Sequence, residues 1–308
     1  MSDLYIHRLA ALIDQAAKTN EAAFGQAASR FADSLEGGGL IHLYGSGHSV
    51  LPVQEVFPRY GSYVGFNPLT DPRVMWHNVL GAGGVRELLW LERTEKYAEK
   101  FLDHQPLNKG DSIIIFGHSG RNSSGIDTAL YARKRGIFVV AVTSKNNLDK
   151  PATHSSGKRL ADAADLVIDT CSPIEDAIVP VEGWSRPVSG SSTVLAMILA
   201  HELVARTAEQ LAKRGIELPV FASPTIAGVT LHDTDVIYGV YRERMLEAQK
   251  KHLPAFQATM RGYCCAGGAG ARTPPAHGCA QCELIIVDAR PGPIPLASFR
   301  SSSVALKA

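Results

Sequence analysis

The strongest constraint in this chain is an alternation. Short apolar runs recur at Leu40–Tyr44, Ser62–Phe66, Ser112–Phe116, Ile137–Val142 and Leu166–Asp169. Segments with helical spacing separate most of them, near 47–60, 85–104, 123–135 and 156–164. Runs this short have strand length, and their unbroken apolar character calls for cover on both faces. Strands alternating with helices of this length predict an α/β fold, a three-layer sandwich around a five-stranded parallel sheet.

Two further helices frame that core. Residues 3–35 place Leu9, Leu12, Ile13, Ala16, Ala23, Phe24 and Phe31 at helical spacing and stop at Gly37-Gly38-Gly39, which predicts one long amphipathic N-terminal helix. Residues 190–213 contain Val194–Ala200, apolar on nearly every side, which predicts a helix buried against the sheet and a partner subunit. After about Lys251 the periodicity stops and CCAGGAGARTPPAHG follows. The expected organisation is a domain over 1–250 and a poorly ordered extension over 251–308, with Leu284–Val287 as an isolated strand.

Composition narrows the function classes. Lys plus Arg (31) balances Asp plus Glu (30), so there is no overall positive field to attract nucleic acid or an anionic membrane. The first twenty residues interrupt every apolar run with polar side chains, unlike a signal peptide, and no apolar stretch reaches the roughly 18 residues of a membrane span. A cytoplasmic protein is expected. Cys171 stands alone among the first 263 residues; Cys264, Cys265, Cys279 and Cys282 cluster near His277. One CxxC without a second at ligand spacing is half a zinc site, so reduced thiols and no bound metal or cofactor are expected.

In an open parallel sheet ligands bind beyond the carboxyl ends of the strands, where strand order reverses. Two loops there are rich in glycine and hydroxyls. Gly45-Ser46-Gly47-His48-Ser49 follows the first run, and Gly117-His118-Ser119-Gly120-Arg121-Asn122-Ser123-Ser124 follows the third. Glycines admit close backbone approach, hydroxyls add donors, and a following helix N-terminus favours an anion. Each loop alone also reads as a tight turn; together they point to one phosphate. Thr143 and Ser144, after the fourth run, add two hydroxyls. A dinucleotide is excluded, because Val50 stands where the third glycine of that fingerprint belongs.

These loops, the preceding helix and the five-strand rhythm resemble the SIS (sugar isomerase) domain family. The resemblance covers about residues 1–245 and implies a flavodoxin-like strand order, a phosphosugar ligand and a homodimer. The family's third-strand loop usually reads Ser-x-Ser-Gly-x-Thr; here Ser119 and Gly120 match, while Gly117 and Asn122 depart from it. The segments IHLYGSGHS, LERTEKYAE, HSGRN, THSSGKRLADAADLVID and VEG…SSTV are similar to an uncharacterised bacterial SIS subfamily.

Aldose–ketose isomerisation needs a base to move a proton between adjacent carbons and an acid/base to open the ring. Four candidates emerge. Glu55 lies on the helix after the first loop, as do the glutamates of SIS isomerases, and equally reads as a surface partner of Arg59. His77 follows the second run, where such isomerases place a ring-opening histidine. Glu182 lies after the fifth run as a second candidate base. His154, in Thr153-His154-Ser155-Ser156, follows the fourth run as a ligand contact or as part of a cap. Three functions remain open: a phosphosugar isomerase, a non-catalytic phosphosugar sensor, and an amino-sugar-phosphate lyase resembling N-acetylmuramic acid phosphate etherases.

Overall fold

The computed structural model describes residues 4–75 and 84–266, the segment 254–266 by its backbone alone. Five strands, β1 (Ile41–Gly45), β2 (Phe66–Leu69), β3 (Ser112–Phe116), β4 (Phe138–Thr143) and β5 (Leu166–Asp169), form one sheet in the order β2-β1-β3-β4-β5. Every pair is parallel; Ile41 faces Phe66 on one side and Ser112 on the other. Strand order therefore reverses at β1, whose neighbours are β2 and β3.

Side chains of each strand alternate between two apolar layers, as the pleat requires. Ile41, Leu43, Ile114, Phe116, Val140, Val142 and Ile168 pack with α1 (Tyr5–Glu36), α2 (Val50–Val56) and α7 (Ser192–Lys213). Ile113, Ile115, Val139 and Ala141 pack on the opposite face with α4 (Tyr97–Leu102), α5 (Ser123–Lys134) and α6 (Leu160–Ala163). The three-layer sandwich is the observed architecture.

The long N-terminal helix runs as expected, and its buried residues include two polar ones, Ser34 and, midway along, Asn20. Its amide bonds the backbone of Asp169 in both directions, Nδ2 donating to the carbonyl at 2.8 Å and Oδ1 accepting from the N–H at 2.8 Å. This satisfies a buried amide and ties α1 to the outer side of β5. At the other end of α1, Arg244 from α8 (Leu231–Ala266) donates to the carbonyls of Leu35 and Gly39, filling acceptors that a helix terminus leaves open.

Three elements differ from expectation. β2 begins at Phe66, since Gly65 (φ +137°) turns the chain into the ladder and Leu35 occupies the space a side chain there would need. The helix expected over 85–104 is two, α3 (Gly84–Leu91) and α4, because Lys96 adopts φ +63° and donates its N–H to Asp127 at 2.6 Å. The helix expected over 156–164 shrinks to α6, as His154–Gly157 form a turn. A two-stranded antiparallel sheet, β6 (Ala177–Val179) with β7 (Val188–Gly190), and the helix α8 have no counterpart in the periodicity reading. α7 buries one helical face, Leu195, Leu199, Leu203 and Leu211 among others.

The chain divides into two compact units, Met1–Phe256 and Gln257–Ala308. Cys264 and Cys265 fall where α8 is described by backbone alone; Cys279, Cys282, His277 and Leu284–Val287 lie outside the described residues. No described helix is long and apolar enough to cross a membrane.

Candidate functional site

The carboxyl ends of β1 and β3 open on a cavity of about 210 Å³. Its walls bring together both loops singled out by sequence: Ser46, Gly47, His48 and Ser49 from the first, Gly117, His118, Ser119, Gly120 and Asn122 from the second. The first loop is tight because it must be. A Cβ on Gly45 would sit 2.1 Å from the carbonyl oxygen of Ser49. Gly47 then donates its N–H to Val74 at 2.8 Å, fixing the loop against the chain that leaves β2. In the second loop Gly120 adopts φ +61°, a conformation open to glycine, and its carbonyl accepts from Leu160 N–H at 2.7 Å.

Not every predicted hydroxyl faces the cavity. Ser123 Oγ donates to the Arg93 carbonyl at 3.0 Å, Thr143 Oγ1 to the His118 carbonyl at 3.1 Å, and Ser144 Oγ to the Ser172 carbonyl at 2.6 Å. These three hold the loops in place, so their roles are structural where ligand contact was expected. Arg121 lies outside the lining residues; its carbonyl accepts from Thr153 Oγ1. Ser49 makes no capping bond to α2, and Ser119 Oγ only accepts, weakly, from Arg121 N–H at 3.4 Å. Neither hydroxyl donates to another group among the described residues. His118 points Nε2 at the Ile174 carbonyl, 3.2 Å away, while its Nδ1 is buried without a partner.

The cavity also holds a residue outside the sequence candidates. Glu92, immediately after α3, is 5% exposed and lines it. Its Oε2 accepts from Ser46 Oγ at 2.9 Å, and Ser124 Oγ donates in turn to Ser46 Oγ at 3.2 Å. The Glu92 carbonyl accepts from Ser124 N–H at 2.9 Å, which buttons the end of α3 to the start of α5. Burial pushes the Glu92 carboxyl above its ordinary pKa, against the opposing pull of Ser46, Arg93 and Asn122. In sequence it stands four residues after the buried Leu88, just beyond the last turn of α3, among charged residues.

The four sequence candidates are not gathered here. Glu55 lines a separate cavity with Arg59, Tyr60, Phe221 and Tyr238; it pairs with Arg59 and lies 3.5 Å from His201 Nε2. Its side chain is 40% exposed. Glu182 is exposed in the turn between β6 and β7. His154 is buried away from the cavity, bonded through Nε2 to Asp127 Oδ1 at 2.9 Å and through Nδ1 to Ser156 Oγ at 2.8 Å. It clasps the 153–157 turn to α5. His77 lies outside the described residues.

Residues 4–144 match the model of the SIS domain, a span that includes both loops and Glu92. Over 251 residues the chain is 33% identical to the UPF0309 protein of Halalkalibacterium halodurans, covering 81% of this chain and 95% of that one. The chain belongs to the UPF0309 family. A second UPF0309 protein, from Caldanaerobacter subterraneus, is 34% identical over 249 residues and covered to 99% of its length. Among solved structures, phosphoheptose isomerase GmhA from Neisseria gonorrhoeae aligns with a TM-score of 0.44 at 16% identity, over 65% of the UPF0309 chain and 93% of its own. What this UPF0309 site does has to be read from its own residues.

Proposed function

We propose that the chain binds a phosphorylated carbohydrate derivative and interconverts its aldose and ketose forms, with Glu92 as the base. The observation that carries this reading is the placement of one buried carboxylate in the same small cavity as two donor-rich loops at the switch point. An aldose and its ketose differ by one hydrogen moved between adjacent carbons and one moved between the oxygens they carry. A carboxylate takes the proton from the carbon beside the carbonyl, giving an enediolate; the hydroxyl proton passes from one oxygen to the other, and the carboxylic acid returns its proton to the neighbouring carbon. Burial raises the basicity of Glu92, and the hydrogen bonds from Ser46 and Asn122 favour its ionised form.

The phosphate belongs at the opposite wall. No Lys or Arg is among the described lining residues, so backbone N–H groups and the hydroxyls of Ser49 and Ser119 carry the anion. Neutral donors fix direction and distance, leaving the sugar carbons toward Glu92. The same reading places the protein in the cytoplasm as a homodimer; sedimentation as a monomer at micromolar concentration counts against the dimer.

A thermal-shift screen against four- to eight-carbon sugar phosphates, with unphosphorylated sugars and inorganic phosphate as controls, tests the ligand class. A ligand at 100 times its dissociation constant stabilises by about 2.7 kcal/mol. The expected result is a shift confined to phosphorylated sugars, followed by interconversion of the shifting compound. No shift from any of them removes the reading.

A further inference from the structure

We infer that Ser46 positions the Glu92 carboxylate and does not donate to the anion, so that the first loop is divided between two tasks. This rests on the reading of Glu92 as the base. A hydroxyl has one hydrogen, and that of Ser46 is committed: Oγ donates to Glu92 Oε2 at 2.9 Å, while its lone pairs accept from Ser124 Oγ at 3.2 Å. The chain Ser124–Ser46–Glu92 therefore runs in one direction and ends on one carboxylate oxygen. Oε2 is held by Ser46, and Asn122 adds a second side-chain bond to the same carboxylate.

The surroundings make this arrangement rigid. Ser46 sits between Gly45, where no side chain fits, and Gly47, which is bonded to Val74. Ser124 is in the first turn of α5, and its N–H holds the Glu92 carbonyl. Ser123 holds the carbonyl of Arg93. Glu92 is thus gripped through its main chain by α5 and through its side chain by the β1 loop. Behind the relay, Tyr44 is 1% exposed and hydrogen-bonded to Ser124 and Thr128. The titratable groups sharing this environment are Arg93, next in the chain, Tyr44 beneath the loop, and His48 and His118 on the cavity wall.

Three residues apart in one loop, Ser46 and Ser49 then serve different ends of the ligand. Ser46 serves the reacting carbons through Glu92. Ser49, with Ser119, serves the anion. The spacing of the two serines fixes which way round a phosphorylated sugar enters.

The decisive experiment follows the Glu92 carboxyl by carbon-13 NMR in glutamate-labelled protein, with its signal assigned by loss in Glu92→Gln. Ser46→Ala is expected to move the Glu92 titration midpoint upward, since a bond to the ionised form is gone, and Ser46→Thr to restore it. Inorganic phosphate is titrated into the same proteins. Losing a hydroxyl donor to a phosphate costs roughly tenfold or more in affinity. Ser46→Ala is expected to leave phosphate affinity within about twofold, well short of that loss, whereas Ser49→Ala shows it. With a turned-over substrate, Ser46→Ala lowers kcat, leaves KM in place and shifts the acid limb of the rate profile upward.

An unmoved Glu92 midpoint in Ser46→Ala, or phosphate binding weakened as much as by Ser49→Ala, overturns the assignment. The titration needs no substrate. A midpoint that moves in a protein that interconverts no sugar phosphate removes the isomerase and keeps the positioning bond. An active enzyme whose Glu92 ignores Ser46 removes the positioning bond alone.

Discussion

Glu92 and Glu55 are the same residue type, and both lie on segments that follow the first two strands. One is 5% exposed, bonded to a serine hydroxyl and walled by two glycine-rich loops. The other has a side chain 40% exposed, paired with Arg59 four residues on, past the end of α2, and flanked by His201. The difference lies in what desolvates them. Burial raises the Glu92 carboxyl, while Ser46, Arg93 and Asn122 pull the other way. Glu55 faces a guanidinium at the surface. A carboxylate becomes a candidate base through its surroundings, not through its distance from a motif.

The largest expected effect is on turnover. Glu92→Gln removes the acceptor of the carbon-bound proton and should lower kcat by about 10²- to 10⁴-fold on whichever sugar phosphate is interconverted. Glu55→Gln should change it by less than roughly threefold, the scale of a lost exposed ion pair of a few tenths of a kcal/mol. Equal losses from both substitutions break the comparison, and an inactive Glu55→Gln with an active Glu92→Gln reverses it.

A second expectation concerns pH. The folded-state pKa of Glu92 lies above its unfolded value, so its favourable contribution is complete below the unfolded value and is lost as pH rises through the folded one. Above the raised pKa the buried charge therefore opposes folding. Glu92→Gln should be more heat-stable than wild type near pH 7, and its advantage should fade as pH falls through the raised pKa. Differential scanning calorimetry of the two proteins over that interval measures it. A constant difference, or a destabilised variant at every pH, means that burial does not govern Glu92.

The smallest effect sharpens the other side. Breaking the exposed Glu55–Arg59 pair should cost no more than about 1 kcal/mol and should lessen further in high salt. Chemical denaturation of Glu55→Gln at low and high ionic strength reads this directly. A larger, salt-independent loss would place Glu55 in a more desolvated setting than the structure gives it.

Much of this was legible in the chain. Ser112–Phe116 and Leu166–Asp169 are strands to the residue, because a continuous apolar run in a doubly covered sheet has few other homes. The two loops were legible because glycines and hydroxyls at strand ends have a local cause. Glu92 was not, because LERTEKYAE reads as a solvated charged helix. Only the break at Lys96 and the bond from Ser124 turn one of those charges inward, and both come from α5, some thirty residues on. Glu55 misled for the converse reason: nearness to the first loop in sequence does not aim a side chain across the sheet. The hairpin β6–β7 is made of strands too short for their periodicity to register.

Asn20 has a consequence outside the site. β5 is the border strand of the sheet, and a border strand offers its free main-chain groups to any extended segment that approaches. At Asp169 the carboxamide of Asn20 supplies one donor and one acceptor, the pair a sixth strand would bring. A side chain on a helix thus impersonates a strand and closes the ladder there. Trimmed to alanine, that border would be left half-dressed, and the first symptom to watch for would be clumping during refolding, with the cavity at the ends of β1 and β3 still intact.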